Sequence, residues 1–220
     1  MCRYKKIDLE NWCRKEHYLY YTNSLNVEVN MTANIDASEL LSFCHTNGYK
    51  FYPTLIYCVT KVLNRIDNFR MFKDKNGDLC VWDSLVPNYT IFHEEDHTFS
   101  DCWTDFTDDF YSFYKNITSD MELGKTKRGI KVKLGQPANF YCVSCTPWTA
   151  FTAVSSRMVN GGAAFFPIIT AGKYDDNYQM PVNITIAHAV ADGYHIGLFF
   201  EYLQEEMSVE CLKSHQAHLE

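Results

Sequence analysis

At 220 residues and a net charge of −7, the chain is long enough to bury a full core but has the wrong sign for a nucleic-acid surface. Hydrophobic residues make up 46% and charged residues 21%, an ordinary globular balance, and no apolar run reaches the roughly 18–20 residues that cross a bilayer. Aromatic residues at 15% favour a sheet-rich core.

The opening residues Met1 to Asp8 carry positive charge but no apolar stretch, so no secretory leader is expected and a cytoplasmic location follows. The nine cysteines (2, 13, 44, 58, 80, 102, 142, 145 and 211) are odd in number and irregular in spacing, and read as reduced thiols. Cys142-Val-Ser-Cys145 has a redox or zinc spacing, but it lies in a strand-like run with no second pair. No repeat, low-complexity segment or linker interrupts the chain, so residues 1–220 are expected to form a single domain.

Residues 25–35 alternate. Leu25, Val27, Val29, Met31, Ala33 and Ile35 face one way and Glu28, Asn30, Thr32 and Asn34 the other, which predicts a half-buried strand. Helix-start chemistry follows from Asp36 and stops at Asn47-Gly48. Pro53 suits a first helical position, ahead of a stripe through Leu55, Ile56, Val59, Val62, Leu63 and Ile66. Asn76-Gly77 between two apolar runs predicts a hairpin, and residues 88–93 another strand. Phe106, Phe110, Phe113, Tyr114 and Ile117 mark a further helix, and residues 124–137 a surface loop. Strands are predicted at about 139–146, 164–172 and 179–188, the last two joined through Asp175-Asp176-Asn177, before a closing helix over about 193–207. Strands and helices intersperse without a strict βαβ rhythm, so the fold class is α/β in the mixed α+β sense, a mixed sheet flanked by helices.

Chemistry concentrates at His188-Ala-Val-Ala-Asp192-Gly193. Val182, Ile184, Ile186 and His188 share one strand face, where a dry surface disfavours imidazolium and suits a general base. A satisfied core histidine fits the same pattern. Asp192 is a good N-cap for the helix from Gly193; it can also hold the loop through a cation or bond the imidazole directly. A metal site from His188, Asp192 and His195 lacks a fourth ligand, and no metal is expected.

The run His188 to His195 resembles the active-site signature of chloramphenicol acetyltransferases. The likeness continues in order through Ile7 to Tyr21, Tyr49-Lys50-Phe-Tyr-Pro53, Phe69-Arg-Met, Val81-Trp-Asp-Ser, Tyr89-Thr90-Ile-Phe-His93, Val143-Ser144-Cys-Thr-Pro147-Trp148 and Pro167 to Tyr174, covering about residues 5–207. A lone His-x-x-x-Asp-Gly is less specific, since dihydrolipoyl acyltransferases and condensation domains share it.

The resemblance implies a homotrimer with active sites at the subunit interfaces, acetyl-CoA as co-substrate, and a small-molecule hydroxyl acceptor such as chloramphenicol. It gives His188 the role of base, Ser144 that of oxyanion donor, Arg14 and Asp192 that of a loop-holding ion pair, and Thr170 that of positioning a water. Trp148 and Tyr174 then line the coenzyme tunnel, with Lys50 and Lys173 near its phosphates. Tyr21, Val27, Val29, Thr90, Val154 and Ser156 fall at acceptor-side positions. Ala187 and Ala191 depart from the family's usual histidine and cysteine. Val27, Val29, Val154 and Ser156 depart from its usual acceptor contacts, and losing one large apolar contact costs about 1.5–3 kcal/mol. Acylation of a different hydroxylated acceptor, and a binding homologue without turnover, remain as alternative expectations.

Overall fold

The computed structural model describes residues 3–157 and 162–216, so Cys2 lies outside the described residues. A six-stranded sheet has the order β2-β9-β8-β7-β5-β6, built from β2 (Glu28–Asp36), β5 (Val86–His93), β6 (Thr98–Trp103), β7 (Phe140–Thr146), β8 (Ile168–Gly172) and β9 (Gln179–Ala187). β5, β7 and β8 run parallel, while β9, β2 and β6 pair antiparallel with their neighbours. The sheet is therefore mixed. A second sheet, of order β1-β4-β3, holds β1 (Tyr4–Lys6), β3 (Met71–Lys73) and β4 (Leu79–Trp82).

Among the described residues, six α-helices complete the fold: α1 (Lys15–Asn23), α2 (Ser38–Asn47), α3 (Phe51–Arg65), α4 (Phe110–Lys125), α5 (Gly193–Glu206) and α6 (Val209–Gln216). The stripe of α3 is buried almost throughout, and it meets Tyr89, Val143, Ile169 and Ile184 from one sheet face in the core. Burial of each such Leu, Ile or Val stabilises by roughly 1.5–3 kcal/mol. Among the described residues, no helix is long and apolar enough to cross a membrane.

Several boundaries differ from the sequence expectation. Pro53 is the third residue of α3, still inside the first turn, where its missing N–H costs no hydrogen bond. α2 starts at Ser38 rather than Asp36 but stops at Gly48 as expected, where a φ of +70° is left-handed backbone that a side chain resists. The strand expected from 164 begins only at Ile168, because Pro167 has no N–H for a ladder, although its carbonyl accepts from Cys142 N at 3.0 Å. The polar face of β2 is no simple water-facing surface: Asn30 and Thr32 bond Asn183 and Thr185 of β9. Cys142 and Cys145 sit three apart on β7 and so point to opposite faces; burial pushes both thiols up to about 11, leaving them protonated near neutral pH.

Candidate active site

The histidine stands one residue past the end of β9. His188 N donates to Val27 O at 3.0 Å, which continues the β2–β9 register by one step and sets Val27 opposite the histidine. The chain then turns tightly, with Val190 N donating to Ala187 O at 3.1 Å. Ala189, Val190 and Ala191 are buried, and Asn68 Nδ2 donates to Val190 O at 2.6 Å. The loop is thus clamped on both sides.

His188 Nδ1 lies 3.0 Å from Ala191 O. A carbonyl only accepts, so Nδ1 carries the proton and Nε2 presents a lone pair. That is the tautomer a base requires. Its dry wall is the Tyr21 ring of α1, stacked on the imidazole at 4.0 Å and 20°, rather than a run of strand neighbours. Val29 follows two steps along the register, on the same face and opposite Ile186. Tyr21, Val27 and Val29 therefore gather around the half-buried base.

Asp192 does three things at once. It caps α5 by accepting from Tyr194 N at 3.1 Å. It pairs with Arg14 Nη1, the two side chains being 29% and 13% exposed. It also faces His195 Nδ1 at 2.9 Å, while that nitrogen lies 3.3 Å from the Asp192 amide. One nitrogen cannot both donate to the carboxylate and accept from the amide, and the shorter, charge-assisted contact decides for donation. Burial raises the Asp192 carboxyl pKa, but the hydrogen bonds and charges of Arg14 and His195 outweigh it and hold the group at about 2. Asp192 is thus engaged away from His188, whose Nδ1 is taken by Ala191. Among the described residues, His188, Asp192 and His195 do not converge as metal ligands.

A second group of candidates lies on the opposite sheet face from Ile184. The register aligns Ser144 of β7 with Thr170 of β8, Thr170 with Asn183 of β9, and Asn183 with Thr32 of β2. Thr90 follows Tyr89, the partner of Val143, and so falls beside Ser144. Register partners share a face, so these residues form one polar row across the sheet. Asn183, 2% exposed, ties the row together by donating to Asn30 Oδ1 at 3.1 Å or Thr32 Oγ1 at 3.0 Å. Ser144 is half-buried and Thr170 buried.

The coenzyme-side candidates flank the C-terminal ends of these strands. Trp148 follows β7, exposed, with its ring edge-on to Phe92 at 4.7 Å. Lys173 and Tyr174 follow β8, and Tyr174 meets Phe51 of α3 at 6.3 Å. At Gly172, where β8 ends, a Cβ would come within 2.7 Å of Pro181 and 2.8 Å of Phe151, so a larger residue would have to displace one of those rings. Lys50 immediately precedes α3 and lines a groove of about 450 Å³ together with Tyr52, Thr90 and Phe92. Its Nζ pairs with Glu122 at 2.9 Å, with both groups more than half exposed.

The structure does not bring the two groups together within one chain. Ser144 is level with Asn183, two strands away, and His188 lies five residues further along. At about 4.8 Å per strand and about 3.3 Å per residue, their Cα atoms are roughly 19 Å apart. Side chains this short do not span that gap. Val154 and Ser156 sit in the irregular stretch after β7. Beside them, a cavity of about 550 Å³ is lined by Asn26, Val27, Glu28, Asn30, Ser155 and Arg157 among others.

Comparison with known proteins identifies the family and the fold. The family described as chloramphenicol acetyltransferase matches residues 2–204. A chloramphenicol acetyltransferase from Clostridium perfringens is 40% identical over 206 residues, which is 92% of this chain and 94% of that protein. One from Staphylococcus aureus is 39% identical over 205 residues, again 92% and 94%. A solved chloramphenicol acetyltransferase structure shares the fold with a TM-score of 0.78 at 23% identity, covering 94% of this chain and 99% of its own. Fold and relatives define an acyltransferase of the coenzyme A-dependent class. Within that class, the chain belongs to the chloramphenicol acetyltransferase family.

Three site residues escaped the sequence reading. Asn68 clamps the base loop from a turn more than a hundred residues upstream, Asn183 links the polar row, and Phe51 faces Tyr174. Only Asn183 left a local signal, as a polar residue inside an apolar strand run.

Proposed function

We propose that the protein transfers an acetyl group from acetyl-CoA to a hydroxyl of a small molecule, chloramphenicol or a similar alcohol, in sites formed between neighbouring copies of a homotrimer. His188 Nε2 of one copy takes the hydroxyl proton as the oxygen attacks the thioester carbon. The Ser144 hydroxyl of the next copy donates to the oxyanion as charge develops there. The tetrahedral intermediate then collapses, the carbon–sulfur bond breaks, and the imidazolium returns its proton to the departing thiolate. Thr170, beside Ser144, positions a water near the intermediate. Trp148, Tyr174, Lys50 and Lys173 receive the coenzyme.

The observation that carries this reading is the His188 tautomer, set by the Nδ1 bond to Ala191 O. The roughly 19 Å gap to Ser144 supports the shared site. The test follows thiol release from acetyl-CoA with chloramphenicol present. Drug-dependent release that His188→Ala loses supports the reading, and no release with any alcohol contradicts it. Light scattering that finds a monomer at working concentration contradicts the trimer. A second reading has its own support. The cavity beside Val27 is edged by Glu28, Asn30 and Arg157, polar groups suited to a more hydrophilic alcohol. Release with such alcohols but not with chloramphenicol would select it.

A further inference from the structure

The C-terminal helices hold a cluster of ligand-type side chains that acyl transfer does not use. Glu206 closes α5, and Cys211 and His215 lie four apart on α6, hence on one face. Cys211 Sγ is 3.5 Å from Glu206 Oε2 and 3.4 Å from His215 Nε2, and that nitrogen is 2.9 Å from the same oxygen. Among the described residues, this is the one group of three such side chains whose ligand atoms all lie within 4.8 Å of each other. Glu206 is 4% exposed and the His215 side chain 16%, so the atoms meet inside the protein rather than on a mobile surface.

The triangle has nearly the size of one face of a zinc tetrahedron. Bonds of about 2.3 Å to sulfur and about 2.0–2.2 Å to nitrogen and oxygen give edges of about 3.5 Å for the two that include sulfur and about 3.4 Å for nitrogen to oxygen. The sulfur edges already match. The remaining edge opens by about 0.5 Å once the 2.9 Å hydrogen bond is replaced by two metal bonds.

The surroundings hold the ligands in place. Arg65 Nη1 lies 3.4 Å from Glu206 Oε1 and 3.0 Å from Glu205 Oε2, which occupies the carboxylate oxygen that faces away from the sulfur. Tyr57, buried and bonded through its hydroxyl to Asp108 O at 2.6 Å, packs edge-on to the His215 ring at 5.5 Å. The opposite end of α5 carries Asp192. Fourteen residues of helix at about 1.5 Å each put the cluster roughly 20 Å from the base loop.

We propose that Glu206, Cys211 and His215 form a binding site for one divalent transition-metal ion, zinc by ligand type and geometry, with water as the fourth ligand. A sulfur, nitrogen and oxygen set does not suit magnesium or calcium, which take oxygen ligands. On binding, the Cys211 S–H bond breaks and its proton passes to solvent, the proton that His215 Nε2 donates to Glu206 moves to Nδ1, and metal bonds form to the sulfur, Nε2 and Oε2. The ion ties α6 to the end of α5.

The test uses the full-length protein, freed of metal by a chelator and titrated with cobalt(II). The expected result is a thiolate-to-cobalt charge-transfer band and tetrahedral visible bands that saturate at one ion per chain and vanish on adding zinc. Cys211→Ser loses the charge-transfer band, His215→Ala weakens zinc binding by at least about tenfold, and both keep the acetyl-transfer rate of the parent. Absence of a thiolate band in the parent protein overturns the proposal, and so does a band that persists in Cys211→Ser. The parent spectrum decides even where a variant fails to fold, and it needs neither acetyl-CoA nor an acceptor.

Discussion

The loop that carries His188 and the sheet row that carries Ser144 reach fixed geometry by opposite means. The loop depends on side chains: an aspartate cap, the Arg14 pair, the Asn68 clamp and a stacked tyrosine. The row depends on backbone: three adjacent strands set Ser144 beside Thr170 and Thr170 beside Asn183. A side-chain-built half can be loosened by one substitution, whereas a ladder-built half changes chemistry on substitution and keeps its shape. The proposed enzyme joins one half of each kind across a subunit boundary.

Apart from removal of the base itself, the largest expected effect lies in the row. Ser144→Ala should lower kcat by about 10²–10³ with little change in melting temperature, because it removes a donor and leaves the ladder intact. A large stability loss would show that the row is not carried by its backbone. In the loop, Arg14→Ala leaves Asp192 a partly buried carboxylate without its cation. Denaturant unfolding should register a loss of about 2–3 kcal/mol, less than a fully buried pair would cost. Only Nη1 of Arg14 reaches Asp192, while Nε and Nη2 find no acceptor among the described residues, so Arg14→Lys should retain most of that stability.

Acid sharpens the same contrast. Asp192 is held at about 2 in the fold against 3.8 ordinarily, so its contribution is full above about pH 4 and is lost as the pH falls toward 2. With the side chain 29% exposed, screening leaves about 1–2 kcal/mol of the shift as stability. Unfolding midpoints of the parent and of Asp192→Asn should therefore differ at pH 5 and converge near pH 2; a gap that persists in acid would contradict the pairing. The smallest effect belongs to the coenzyme side. Glu122→Gln frees Lys50 and should lower the KM for acetyl-CoA about two- to threefold, since the exposed pair is weak, and Lys50→Ala should raise it by a similar factor.

The two halves also differed in how far the sequence revealed them. The base loop is local: histidine, aspartate and helix start fall within six residues, and Asp192 caps α5 from Gly193 as its position predicts. The row is non-local, since Ser144, Thr170, Asn183 and Thr32 meet only through strand pairing, the Thr32–Asn183 step over more than a hundred residues, which no periodicity encodes. Among the elements, α3 and the Asn76-Gly77 hairpin stand out because stripe and turn chemistry agree. α1 does not, because its polar and aromatic residues alternate without an apolar face and it buries only Tyr18. β6 alternates with buried Ser100 and Cys102 and exposed Phe99, the reverse of the usual polarity. Glu206, Cys211 and His215 are separated by the break between α5 and α6, so their convergence shows only in three dimensions.

The division of the site between two copies is tested most directly by mixing inactive chains. Equal amounts of His188→Ala and Ser144→Ala protein are unfolded together and refolded, and acetyl transfer is compared with each variant refolded alone. Each interface that takes its histidine from a Ser144→Ala chain and its serine from a His188→Ala chain is fully equipped. Random assembly makes such interfaces about a quarter of the total, so about a quarter of the parent activity should return. A mixture no more active than the average of its two parents would place base and donor in the same chain and contradict the account.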